Sequence, residues 1–165
     1  MKYDEARQQI KSGDLLAWSH GGWSNWHDIE VSLVRIATQS EFSHVGMAFV
    51  LLDRIFILEA VGAGVRLFPL SREIPFYWIR RPKERLSEEA IAYAFSVLGD
   101  SYSKWQAIKG FFNKLRLGED ALWMCGEFFL AILKKDDEVL TNVATPSGIV
   151  KAAMQRWGSL TFVEV

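Results

Sequence analysis

A thiol, an imidazole and a carboxylate make a complete set for acyl chemistry: the thiolate attacks, the imidazole carries the proton, and the acid holds the ring in one tautomer. Cys125, His44 and Glu59 are the residues of this sequence whose settings fit those three roles. Cys125 is the only cysteine, in the stretch Trp123-Met124-Cys125-Gly126-Glu127-Phe128-Phe129. Behind it, an apolar run from Phe128 to Leu133 closes on Lys134 and Lys135. That pattern predicts a buried helix with a basic C-terminal end, where the macrodipole favours cations, and with its start near Cys125. Unpaired N–H groups and the positive end of the dipole at such a start stabilise a thiolate. Glu127 in the first turn suits the dipole but opposes the thiolate. A lone buried cysteine is also read as an inert small hydrophobe, so the case depends on the elements that bring partners to it.

His44 and Glu59 come from two β-rich runs, Phe42 to Val50 and Ile55 to Ala60, separated by a short polar break. This is the pattern of a hairpin. A turn centred between Leu51 and Leu52 sets His44 directly opposite Glu59, with Cβ atoms roughly 5 Å apart on one face. His44 would then deprotonate or ion-pair with Cys125 while Glu59 accepts from the other ring nitrogen. A satisfied strand histidine and a solvated strand-end carboxylate remain open as readings of the same residues. Ser43 alternates with His44 across a strand and is not expected to be its nucleophile. His20, His27 and His44 offer three imidazoles to a metal, but HExxH and CxxC spacings are missing, as are GxGxxG and Walker loops. No metal and no cofactor is expected.

At 165 residues, half of them hydrophobic, the chain suits a single domain over 1–165. A formal net charge of −1 provides no basic field for nucleic acid, which is not expected as a partner. One cysteine makes no internal disulfide, and Met1 to Gly13 lacks the apolar core of a signal peptide. No apolar run approaches the roughly twenty residues of a spanning helix. A cytoplasmic or peripheral-membrane location is therefore expected.

In chain order, Tyr3 to Lys11 predicts a short surface helix stopped by Ser12-Gly13, and Asp14 to Ser19 a first strand. Residues 20–28 form a loop with Trp23 and Trp26 as bulky tips, the composition of a lid or substrate contact. Asp28 caps an expected helix over Ile29 to Thr38. After the hairpin, Gly62-Ala63-Gly64 turns into a strand from Val65 to Leu70, and Pro75 to Arg80 predicts another. Ser87 caps a helix from Glu88 to Leu98 that stops at Gly99. Residues 104–117 gather Trp105, Ile108, Phe111, Phe112 and Leu115 on one side of a basic helix, which packs on a core or lies in a membrane interface. Asp136-Asp137-Glu138 is expected to be a solvated break, Thr145-Pro146 to open a last helix to about Trp157, and Leu160 to Val165 to form a strand.

Several of these pieces occur in a familiar order: Ser12-Gly13-Asp14-Leu15-Leu16, Phe42-Ser43-His44-Val45-Gly46-Met47, Leu58-Glu59-Ala60 with Gly64-Val65, Leu98-Gly99-Asp100-Ser101-Tyr102, Met124-Cys125-Gly126-Glu127-Phe128, and Thr145-Pro146. From about residue 12 to 150 the chain resembles the circularly permuted NlpC-type papain-like cysteine hydrolases, and among them the YiiX-like group. The lecithin:retinol acyltransferase-like proteins are more distant. The Ser-His-Val-Gly piece and the order His, Glu, Cys carry most of the likeness. The resemblance implies an α+β, permuted papain-like fold: an antiparallel sheet packed against helices, with the cysteine at a helix N-terminus. It implies Cys125 as nucleophile, His44 as base and Glu59 as orienting acid, with Tyr102 lining the site. Gly126 departs from the commonest pattern, in which a serine follows the cysteine.

The expected function is a cysteine hydrolase or acyltransferase acting on an amide or ester through a thioester acyl-enzyme, with the Cys125 backbone N–H as one donor to the oxyanion. The substrate would be a lipid acyl group, favoured by the aromatic amphipathic segment 104–117 and a peripheral membrane contact there, or a cell-wall peptide, favoured by the family relation. The alternative is a non-catalytic lipid- or peptide-binding module that keeps the fold.

Overall fold

The computed structural model describes residues 1–19, 42–61, 64–99 and 122–165, with the backbone alone at 122–124. Trp23, Trp26, Tyr102, and the expected elements over 29–38 and 104–117 lie outside the described residues. The first helix, α1, is the single turn Tyr3–Ala6, shorter than the expected Tyr3 to Lys11. Beyond it the chain is drawn into a turn by Asp14, whose carboxylate accepts from the Lys11 N–H at 3.0 Å.

Six strands follow: β1 (Leu15–Ser19), β2 (Phe42–Leu51), β3 (Arg54–Val61), β4 (Gly64–Pro69), β5 (Phe76–Ile79) and β6 (Thr161–Val163). They form one sheet in the order β4-β3-β2-β1-β5-β6, each neighbouring pair antiparallel. Three longer helices complete the described chain: α2 (Glu88–Ser96), α3 (Leu122–Lys135) and α4 (Pro146–Arg156). The class is α+β, an antiparallel sheet with helices packed on it.

Period-two alternation buries both faces of this sheet. Leu15, Ala17, Val45, Met47, Leu58 and Ala60 point into the larger core, where Phe128, Phe129 and Ile132 of α3 and Ile149 and Val150 of α4 meet them. Leu16, Ala48, Ile57, Phe76 and Trp78 point the other way and are covered by Ala6, Ile10 and Leu70. The caps read from sequence form as expected: the Ser87 hydroxyl accepts from the Ala90 N–H, and the Thr145 hydroxyl from the Gly148 N–H at 3.2 Å. No described helix is long and apolar enough to cross a membrane.

Asp136 and Glu138 correct the expectation of a solvated break. Asp136 is buried at the end of α3, where its carboxylate takes the Lys83 ammonium at 2.7 Å, the Arg81 guanidinium and the Ser87 N–H. Glu138 accepts from Arg81 Nε at 2.7 Å and from Trp157 Nε1 at 2.8 Å. The Arg81 N–H in turn reaches Asp14 at 2.9 Å, as does Trp78 Nε1 at 2.8 Å. Only Asp137 of the three is exposed, because a fully buried guanidinium supplies charge partners that a run of acids does not reveal by itself.

Candidate active site

The hairpin that carries His44 and Glu59 turns one residue later than a turn between Leu51 and Leu52, which shifts the pairing register by two. Leu51 pairs with Arg54 and Met47 with Leu58, so the loop is Leu52-Asp53, both with positive φ (48° and 62°). Such a two-residue loop matches the right-handed strand twist. Glu59 therefore lies across from Gly46, two residues along β2 from His44. The displacement is an even number of residues, so the two side chains keep the same face. Diagonal neighbours on one face remain within reach of long side chains.

Gly46 makes that diagonal passable. A Cβ on it would collide with Ile57 Cγ2 at 2.5 Å and press on the Leu58 carbonyl at 3.3 Å, displacing the strand that carries Glu59. Glu59 Oε2 meets His44 Nε2 at 2.5 Å. At the other end of β2, the ladder with β1 slips: Trp18 pairs with His44 but Ser19 with Phe42. Ser43 is the extra residue of this bulge, and its hydroxyl donates to the Trp18 carbonyl at 3.2 Å rather than serving the imidazole. Bulges re-aim side chains. Here the His44 ring reaches the Trp18 ring, 5.5 Å away between centroids, and also hydrogen-bonds the Cys125 side chain in the larger core. With Nε2 engaged by Glu59, Nδ1 is the nitrogen left for the sulfur.

Cys125 is 2% exposed and is the fourth residue of α3. This places Cys125 in the first turn of α3. Gly126 has a packing reason. Its absent Cβ would lie 1.8 Å from the Ala144 carbonyl oxygen, so the backbone leading into α4 occupies the place of any side chain after the cysteine. That approach seats α3 against α4, whose Ser147 hydroxyl accepts from the Phe42 N–H at 3.3 Å, two residues before His44.

The electrostatics favour charged partners. Burial alone would lower the pKa of His44, but hydrogen bonds to Cys125 and Glu59 and the charges of both outweigh it and raise the pKa from 6.5 to about 9. Burial likewise pushes Glu59 toward the neutral acid, and is outweighed by the hydrogen bond and charge of His44 and then of Arg66, so its pKa is lowered. Among the described residues, no group of three or more His, Cys, Asp or Glu side chains is arranged to hold a metal ion. His20 and His27 lie outside them.

Three neighbours of the site were not singled out from sequence. Arg66, directly across β3–β4 from Glu59, places Nε and Nη2 each 2.6 Å from Glu59 Oε1. Glu73 stands 3.9 Å from Arg66 Nη2, and its carbonyl accepts from Trp18 Nε1 at 2.8 Å. His44, Glu59, Arg66, Glu73 and Trp18 thus close a ring of contacts around the imidazole. Arg66 was within reach of sequence reasoning, since pairing Val61 with Gly64 sets it opposite Glu59. Trp18 and Glu73 join through a bulge and a backbone carbonyl, which leave no pattern in side-chain type.

No family model matches the chain, and no curated protein matches it. Among solved structures it is similar to the crystal structure of the metalloprotein YiiX from Escherichia coli O157:H7, at 20% identity over 94% of this chain and 97% of that one, with a TM-score of 0.43.

Proposed function

We propose that this chain is a cysteine-dependent hydrolase or acyltransferase of the permuted papain-like kind, acting on an amide or ester through a thioester. The observation that carries the reading is the imidazole of His44 bonded on one side to Cys125 and on the other to Glu59. The sulfur attacks a carbonyl carbon, the tetrahedral oxyanion collapses, and the C–N or C–O bond breaks as His44 gives its proton to the leaving group. His44 then takes a proton from water or an acceptor hydroxyl as that nucleophile attacks the thioester and releases the sulfur. Glu59 keeps the ring oriented and favours its cation throughout. A position in the first turn of α3 adds the positive end of the helix dipole beneath the thiolate. The substrate is a lipid acyl group or a peptide amide; the aromatic segment 104–117 favours the lipid, through contact with a membrane interface.

The test is the pH dependence of Cys125 alkylation by iodoacetamide, paired with thiolate ultraviolet absorbance, which needs no reagent access to a buried sulfur. Both signals are expected to depend on the imidazole, with collapse in His44→Ala and a smaller loss in Glu59→Gln. Signals that rise only near the ordinary thiol value of about 8.5, and do so equally in His44→Ala, would sink the catalytic reading and leave the chain as a lipid- or peptide-binding module.

A further inference from the structure

We infer that Arg66 is a positioning residue for the Cys125–His44 pair: it holds Glu59 ionised and aimed at the imidazole, and so sets the acid limit at which the pair fails. The inference rests on the catalytic reading of that pair.

The Glu59 side chain is 3% exposed, and a carboxylate taken out of water reverts to the neutral acid unless cations or donors compensate. Its two oxygens are divided between two partners. Oε2 faces His44, and Oε1 receives both Arg66 Nε and Nη2 at 2.6 Å. Two N–H groups of one rigid fork locate Oε1, and with Oε2 on His44 the two anchors hold the carboxylate aimed at the imidazole. Arg66 is itself held on three sides. Cross-strand register places it opposite Glu59, the Phe68 ring lies 4.2 Å from its Cζ, and Glu73 stands 3.9 Å from Nη2.

The charged and titratable groups facing this point are His44 on β2, Glu59 on β3, Arg66 on β4, Glu73 after β4, and Cys125 across the imidazole on α3. Arg66 is the cation that stands between the two acids. Without it, Glu59 keeps its burial and gains an unscreened neighbour in Glu73, and both changes raise the pH at which it protonates. A protonated Glu59 no longer supports an imidazolium, and the thiolate loses its counter-ion.

The test uses Arg66→Gln and Arg66→Lys in the full chain, with two readouts. One is the acid limb of the Cys125 alkylation profile. The other is the titration of the Glu59 side-chain carboxyl by carbon NMR in glutamate-labelled protein, assigned through Glu59→Gln. In Arg66→Gln both midpoints are expected to move up by about 1 pH unit or more, the usual scale for an adjacent opposite charge. Arg66→Lys is expected to fall between, keeping the charge but losing the two-point grip. An unmoved Glu59 midpoint overturns the inference. A moved Glu59 midpoint beside an unmoved alkylation limb overturns it too, because Arg66 would then serve the sheet and not the pair. Failure of the parent reading looks different: His44→Ala would leave the alkylation profile of the otherwise native chain unchanged, and the inference would fall with it.

Discussion

Glu59 is a buried acid gripped by two cations, and His44 a buried base gripped by an acid and a sulfur. The sign of the resulting pH dependence follows from Glu59. Its folded pKa is lowered from the ordinary value of 4.5, so its contribution to stability is complete above that value and is lost as the pH falls through the lower folded one. Glu59→Gln is therefore expected to be less stable than wild type at neutral pH, with the gap in urea midpoint narrowing on acidification as the native carboxylate becomes a neutral acid. The same variant should bring the His44 ring titration down from about 9 toward 6.5, read by proton–nitrogen NMR of the imidazole. A constant stability gap, or a His44 titration indifferent to Glu59, would mean that the short contact does not bind charge to charge. At this scale, residue type was a good guide: a thiol, an imidazole and a carboxylate were legible as a set. Arg66, Trp18 and Glu73 were less so, because a ring of contacts that crosses two strands, a bulge and a backbone carbonyl has no fixed spacing in sequence.

Elements were the most legible layer, and for specific reasons. Ser87 and Thr145 mark helix starts because their hydroxyls satisfy a first-turn N–H, and the hydrophobic run after Cys125 marks a helix because it must be buried. Turn register was not legible. Leu51-Leu52-Asp53-Arg54 contains none of the Asn-Gly or Asp-Gly chemistry that announces a two-residue hairpin loop, yet Leu52 and Asp53 both take positive φ. The His44–Glu59 contact survives the altered register because the displacement is even; an odd slip would have carried Glu59 to the opposite face. Leu52 thus combines a left-handed backbone with a side chain that is 89% exposed. A branched apolar residue in that region costs about 1–2 kcal/mol relative to its relaxed backbone, and asparagine tolerates it better. Leu52→Asn is expected to raise the melting temperature by about 2–4 °C, the scale of 1 kcal/mol in a chain of this size, and to leave Cys125 alkylation unchanged. A lower melting temperature would show that Leu52 is covered by something in solution.

At the scale of the whole molecule, α3 is seated at both ends. Near its start, the Ala144 carbonyl fills the space of a missing Gly126 side chain; at its end, Asp136 is locked to Arg81, Lys83 and the N-cap of α2. The second anchor joins β1 through Asp14, the residues after β5 through Arg81, and the end of α4 through Trp157 and Glu138. Three acids in a row such as Asp136-Asp137-Glu138 ordinarily make a solvated break; what overrides that expectation is a guanidinium buried 55 residues earlier in the chain. Burial alone would raise the Asp136 pKa, but the Lys83, Arg81 and Ser87 hydrogen bonds hold it well below the usual carboxylate range. Its stabilisation is present above the ordinary aspartate value and is lost only in strong acid. Removing one partner of such a buried network leaves the others uncompensated, at a cost of about 3–5 kcal/mol. Arg81→Met strands Asp136 and Glu138 together and is expected to lower the urea midpoint by an amount in that range at unchanged m. Glu138→Gln should cost less, because the Glu138 side chain is 26% exposed and water can replace part of what it loses. Losses below about 1 kcal/mol in both variants would mean that hydrophobic packing alone fixes α3 on the sheet. A large loss for Arg81→Met, with the Cys125 pH profile intact in the protein that remains folded, would separate the anchor that holds the helix from the contacts that work at its start.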